Sequence, residues 1–216
     1  LPFESLTKGD VSGAVMVWEP TQRSSLEQVT VTKSTLYLSV LEDVKSRIYQ
    51  LRHVNAESGL KGLKRQEIAL PGTGTARLVS AYSSESVAFV NFESFTTPDQ
   101  LMSIKDTEDT PTLIDALPPR FNADGTTVQQ FMAVSKDGEK IPYFLVTPKG
   151  YTADGDTPTL LYGYGGFEIS LTPSYRSTYG KLWLERGGAY AIANIRGGGE
   201  FGPRWHQAAL KENRQR

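Results

Sequence analysis

Tyr164 and Phe167 bracket two glycines in the run Leu161-Tyr162-Gly163-Tyr164-Gly165-Gly166-Phe167, which continues an apolar segment beginning at Pro158. Glycine lets a backbone turn sharply and lie close to a bound group. A phenol hydroxyl beside such a turn can donate a hydrogen bond to a developing negative charge. A phenyl ring beside it can wall an apolar pocket. The run can therefore cradle a substrate and stabilise charge, but it contains no nucleophile. Taken alone, aromatics after a strand often do no more than close a core.

Other candidates for chemistry are weaker. Gly197-Gly198-Gly199-Glu200-Phe201-Gly202 fits the spacing G-x-G-x-x-G between a strand and a helix. A dinucleotide pyrophosphate would meet the Glu200 carboxylate there, anion against anion, and the acidic residue expected about 20 positions on falls beyond Arg216. A structural turn is the better reading. The two histidines, His53 and His206, lie far apart in sequence. His53 sits in a strand pattern and reads as packing or surface. His206 follows Trp205 on a helix, and with no G-x-S-x-G elbow in the chain it also reads as structural. The pairs Glu42-Asp43 and Glu108-Asp109 fall in turns, which favours solvated residues over a glycosidase pair.

Two kinds of element must hold these residues. Up to about residue 119 the chain reads as short strands: Ala14 to Trp18, Gln28 to Thr32, Thr35 to Leu41, Arg47 to Val54, Ala76 to Tyr82, Val87 to Glu93 and Gln100 to Lys105. Turn residues separate them at Asn55 to Gly59, Pro71 to Gly74, Ser83 to Ser86 and Thr96 to Asp99. Such spacing with no helical stretch predicts an antiparallel sandwich, barrel or propeller. Residues 27–70 and 75–115 could each form one four-stranded blade. Lys61 to Arg65 reads as a solvated turn.

Pro118-Pro119 marks the boundary, since proline is excluded from central strands. Beyond it, Val128 to Val134 and Lys140 to Pro148 are strands joined by Ser135-Lys136-Asp137-Gly138, and Asp-Gly is a strong hairpin signal. A strand from Thr159 to Tyr162 precedes the glycine loop. Tyr175, Tyr179, Leu182 and Trp183 recur at helical spacing, which predicts a helix over Pro173 to Arg186 ended by Gly187-Gly188. Ala189 to Ile195 is a nearly continuous apolar strand, and Pro203 opens another helix. Strand, helix, strand, helix is an α/β unit with a parallel sheet. With the hairpin counted as strands one and two, the Tyr164 loop follows strand three, where α/β-hydrolase sheets carry an oxyanion donor.

Composition excludes several function classes. The 216 residues carry a formal net charge of -1, so no global field recruits nucleic acid or an anionic membrane. Cysteine is absent, which removes disulfides and thiolate metal sites, and the histidine placement disfavours a histidine metal site. No apolar run approaches the roughly 18 residues of a membrane span. Leu1-Pro2-Phe3-Glu4 lacks an initiator Met, and Lys211 to Arg216 stops inside a helical pattern. The expectation is a segment of a longer chain.

Several motifs together resemble the prolyl oligopeptidases, serine peptidases of the S9 type. They are Ser135-Lys136-Asp137-Gly138 with Ile141-Pro142, the run Tyr162 to Phe167, the stretch Ala193-Asn194-Ile195-Arg196 continuing to Gly202, and Trp205-His206. Asn91-Phe92-Glu93-Ser94-Phe95-Thr96-Thr97-Pro98 is similar to a segment late in that family's propeller. The match spans about residues 75–216, with residues 1–74 agreeing in strand pattern only.

The resemblance implies a β-propeller segment, its last two blades and part of a preceding one over 1–119, followed over 120–216 by the N-terminal part of an α/β-hydrolase sheet, cut before the nucleophile. It implies that Tyr164 donates to the oxyanion and that Phe167 lines a proline pocket. Ser, Asp and His of the triad lie past Arg216, and residues 1–216 alone should be inactive. Glu168 stands where Asn is expected and could alter specificity. No cofactor and no metal are implied. The substrates are short proline-containing peptides, and the remainder of the catalytic domain, or a second copy, must cover exposed edges. The implied compartment is the cytoplasm, with the periplasm as alternative. The rival readings are a non-catalytic peptide-binding module and an oligopeptidase B-like enzyme acting after basic residues. Gly166-Phe167 and Trp205-His206 fit the prolyl branch better.

Overall fold

Alternating side chains build the first half. In a computed structural model, which describes residues 3–53 and 62–215, two antiparallel meanders of four strands follow one another. The first runs β1 (Ser24–Val31), β2 (Thr35–Glu42), β3 (Lys45–His53) and β4 (Leu63–Glu67). The second runs β5 (Thr75–Ala81), β6 (Val87–Glu93), β7 (Gln100–Lys105) and β8 (Thr112–Ala116). Each strand pairs with the next in sequence. Strand β6 shows the logic most clearly: Ala88, Val90 and Phe92 are buried and alternate with half-buried neighbours. They meet Tyr37 and Ile48 of the first sheet and Met102 and Ile104 of β7 in one apolar cluster. The two sheets therefore pack face on face, and they match the two expected blades of residues 27–70 and 75–115.

A buried carboxylate ties the sheets together. Asp106, just past β7, accepts hydrogen bonds from the hydroxyls of Thr32 (2.6 Å), Ser34 (2.7 Å) and Tyr37 (3.2 Å), all in the first sheet or its β1–β2 turn. Burial pushes its pKa up, but these donors outweigh that and leave it below the usual carboxylate value.

The third sheet is mixed, in the order β11 (Thr159–Gly163), β12 (Ala189–Ala193), β10 (Lys140–Thr147), β9 (Thr127–Val134). Strands β9 and β10 form the expected hairpin, closed by Gly138 at φ +86°. Only β11 and β12 run parallel. Strand β12 is the apolar central strand expected of one covered on both faces: Ala189 to Ile192 are all buried. Its core contains Phe144, Val146, Leu184, Tyr190, Ile192 and Trp205. Two intruders come from the first half. Phe95 packs tilted against Phe144 with ring centroids 5.3 Å apart and edge-on against Tyr190 at 5.9 Å. Val44, at the tip of the β2–β3 turn, is fully buried in the same cluster.

The structure corrects several sequence expectations. Ala14 to Trp18 is not a strand; Val17 and Trp18 instead pack as irregular chain on Leu38, Val40 and Leu51. A short helix, α1 (Phe3–Thr7), precedes them. Leu63 to Arg65, expected as a solvated turn with Lys61, belong to edge strand β4, and the turn at Asn55 to Gly59 lies outside the described residues. Strand β8 was not foreseen; all five of its residues are exposed, so it carries no alternation to read. The helix expected over 173–186 shrinks to α2 (Ser177–Leu182) plus one 3-10 turn at Leu184–Arg186. Tertiary contacts hold the first residues extended: Thr75 Oγ1 donates to the Pro173 carbonyl at 2.6 Å, and the Tyr175 N–H donates to Glu93 at 2.8 Å. Leu182, assigned to the apolar face, is exposed. The last helix, α3 (Pro203–Gln207), is brief and starts on its proline as expected.

Candidate functional site

Parallel β11 and β12 end side by side, with Gly163 opposite Ala193. Both loops of interest, 164–170 and 194–202, therefore leave the sheet at the carboxyl ends of parallel strands, the edge where open α/β sheets bind ligands. The two loops lie against each other. Gly165 sits so close to the Arg196 carbonyl that any Cβ would collide with it. Gly198 and Gly199 are held equally tightly, against the Glu200 carboxyl and the Glu168 carbonyl. This close approach explains the glycines and agrees with the reading of the second loop as a structural turn. Its amides are also engaged: Gly197 N–H donates to the Trp205 carbonyl at 3.0 Å and Gly202 N–H to the Gly199 carbonyl at 2.9 Å. Little remains to cradle a phosphate.

The first loop makes a tight turn, with the Ile169 N–H donating to the Gly166 carbonyl at 3.1 Å. Phe167 and Glu168 both adopt left-handed backbone, at φ +53° and +56°. For residues with a Cβ this costs on the order of 1–3 kcal/mol each. Phe167 is 85% exposed. Tyr164 is half-buried and curls back over the turn: a Cβ on Gly166 would lie 2.8 Å from its hydroxyl oxygen. Gly166 thus keeps the hydroxyl and the exposed ring on either side of one residue. A cavity of about 700 Å³ opens beside the loop, lined by Glu168 and Ser170, by Trp18 and Leu26 of the first half, and by Phe201 and Arg204. Tyr164 and Phe167 do not line it.

The remaining candidates fall where structure needs them. His206 Nδ1 donates to the Gly197 carbonyl at 2.6 Å and braces the second loop. His53 ends β3. Glu42 accepts from the Tyr49 hydroxyl at 3.1 Å, and Asp43 pairs with Arg23 at 2.5 Å. Glu108 pairs with Lys105. Among the described residues no group of three or more His, Asp or Glu is placed to hold a metal, and no helix is long and apolar enough to cross a membrane. Sequence reasoning missed the roles of Asn194 and Glu200. The one signal was an acidic residue inside a glycine turn.

The paired four-stranded meanders are blades of the kind that build a β-propeller, and a mixed sheet with a glycine-aromatic loop follows them. Residues 13–116 match the family model described as the prolyl oligopeptidase N-terminal beta-propeller domain. A peptidase of Sinorhizobium fredii is 45% identical over 94% of this chain, which covers 27% of that relative. A prolyl endopeptidase of Elizabethkingia miricola is 37% identical over 69% of this chain and 21% of its own length. A post-proline cleaving enzyme from Rickettsia typhi superposes with a TM-score of 0.83 at 30% identity, covering all of this chain and 31% of that one. The chain belongs to the prolyl oligopeptidase family of peptidases and spans about a quarter of the length of these relatives.

Proposed function

We propose that the whole protein is a serine oligopeptidase that hydrolyses short peptides on the carboxyl side of proline. Residues 1–119 contribute the end of its propeller, and residues 120–216 the start of an α/β-hydrolase domain. A serine hydroxyl outside this segment attacks the prolyl carbonyl carbon as a histidine base takes its proton. The new C–O bond forms as the carbonyl π pair moves onto oxygen, and the Tyr164 hydroxyl donates to that oxyanion. Collapse breaks the C–N bond, the leaving amine takes the proton held by the histidine base, and water later hydrolyses the acyl-enzyme. Phe167 supplies a flat apolar wall for the pyrrolidine ring.

One observation carries this reading: a phenyl ring kept exposed on strained backbone, one glycine away from a tyrosine hydroxyl. A ring that served only for packing would need no strained backbone to present it. The relatives named prolyl endopeptidase point to the same substrate. The test is kinetic, on the full-length protein, with peptide amides ending in Pro or Arg. Wild type should cleave after Pro, and Tyr164→Phe should lower kcat by about 10²–10³ with KM nearly unchanged, as loss of one oxyanion donor does. Cleavage after Arg in place of Pro would favour an oligopeptidase B-like enzyme, and binding without cleavage a peptide-binding module.

A further inference from the structure

The strained turn at Phe167 and Glu168 needs something to hold it. The far end of the loop shows what does. Leu171 has both backbone groups tied to buried side chains of the second loop: its N–H donates to Glu200 Oε1 at 3.0 Å, and its carbonyl accepts from Asn194 Nδ2 at 2.7 Å. The same Asn194 amide donates to Glu200 Oε1 at 3.1 Å, closing a three-membered network. Asn194 and Glu200 are both fully buried. Between the turn and Leu171, the Glu168 carbonyl, the Ile169 carbonyl and the Ser170 hydroxyl lie against Gly198 and Gly199. Every residue from 168 to 171 thus rests on the second loop.

Glu200 has no counter-ion in this network, and its Oε2 finds no partner among the described residues. Burial, reinforced by nearby Glu27, pushes its pKa up. Such a group is expensive to keep merely as filler, since an apolar side chain of similar size avoids the desolvation penalty. Its one specific product here is the grip on Leu171.

We propose that Asn194 and Glu200 are positioning residues for the substrate loop: by fixing both backbone groups of Leu171 they hold Phe167 and Glu168 in the left-handed turn that presents the Phe167 ring. The inference rests on the peptidase reading above for its effect on substrate, but not for the grip itself. The two residues touch neither substrate nor reacting atoms. Losing the grip lets the turn relax, so the ring is presented for only part of the time. Substrate then binds more weakly, while the chemistry of bound substrate is kept.

The test uses the full-length protein and two readouts. Steady-state kinetics on a prolyl peptide amide should show Glu200→Ala raising KM about tenfold with kcat changed by less than about threefold. Glu200→Gln keeps an uncharged acceptor for the Leu171 N–H and should restore KM. In a Phe167→Ala background, Glu200→Ala should add less than about twofold, because the ring it positions is gone. Amide hydrogen exchange supplies the second readout, independent of activity: Glu200→Ala should speed exchange at Leu171 and across residues 166–170. An equal loss from Glu200→Ala with and without Phe167, failure of Glu200→Gln to restore KM, or unchanged exchange at Leu171 would overturn the proposal. Should Glu200→Ala fold poorly, wild-type exchange decides: a Leu171 amide as fast as those of Phe167 and Glu168 overturns the grip, and a strongly protected one upholds it. If wild type cleaves no prolyl bond, the peptidase reading fails while the exchange result still judges the grip.

Discussion

Phe167 is held in a backbone conformation that its own side chain disfavours, and this separates stability from function at a single residue. Glycine accepts φ +53° without penalty. Phe167→Gly in the full-length protein should therefore leave the melting temperature unchanged or raise it, while kcat/KM for prolyl peptides falls by about tenfold or more through KM. Differential scanning fluorimetry beside steady-state kinetics checks both halves; a large drop in melting temperature would show that the ring serves the core. The aromatics of this loop were legible in the sequence because glycines and a preceding strand surround them. The strain was not, since Phe167-Glu168 contains neither Gly nor Asn to announce positive φ. The grip of Asn194 and Glu200 on Leu171 was hidden too, because it joins residues 23 and 29 positions apart.

Among the elements, most strands could be read because they alternate or are solidly apolar. Strands β6 and β7 fall on the expected residues, and β12 and the Asp137-Gly138 hairpin stand where anticipated. What escaped were edge strands β4 and β8, whose largely exposed side chains lack a period, and the start of α2, where contacts to Thr75 and Glu93 override helical spacing. The joint between the first two sheets depends on Asp106 and yields a pH prediction. Its pKa lies below the ordinary carboxylate value, so its stabilisation is present above that value and is lost as pH falls through the folded-state pKa. Asp106→Asn should lower stability at neutral pH by about 1–3 kcal/mol, as loss of hydrogen bonds to a charged group does. The deficit should shrink in acid. Denaturant titrations at neutral and acidic pH test this; a deficit that grows in acid would refute it.

At the scale of the whole molecule, the 216 residues leave much apolar surface open. All of β11 is exposed, with Leu161 at 76%, and it forms one edge of the third sheet. Leu113 and Ile114 are exposed on edge strand β8, and Val134 on edge strand β9. Open edges with apolar side chains pair with other chains. Residues 1–216 produced alone should self-associate, and Leu161→Lys should reduce this. Size-exclusion chromatography with light scattering reads the outcome; a stable monomer at 23.8 kDa would refute it.

The β2–β3 turn bears on how firmly the first and third sheets are joined. Asp43 and Val44 form a two-residue tip with φ +48° and +65°, and for a β-branched residue the second value is strongly disfavoured. Full burial of a valine is worth about 1.5–3 kcal/mol. Left-handed strain at such a residue costs on the order of 1–3 kcal/mol. The pairing of Glu42 with Lys45 fixes this two-residue turn, so the strain stays with the hairpin whether or not Val44 is seated in the third sheet's core. Parting the sheets would forfeit the burial of Val44 with no relief of strain in return, so this tip acts as a peg that fixes where the first and third sheets meet.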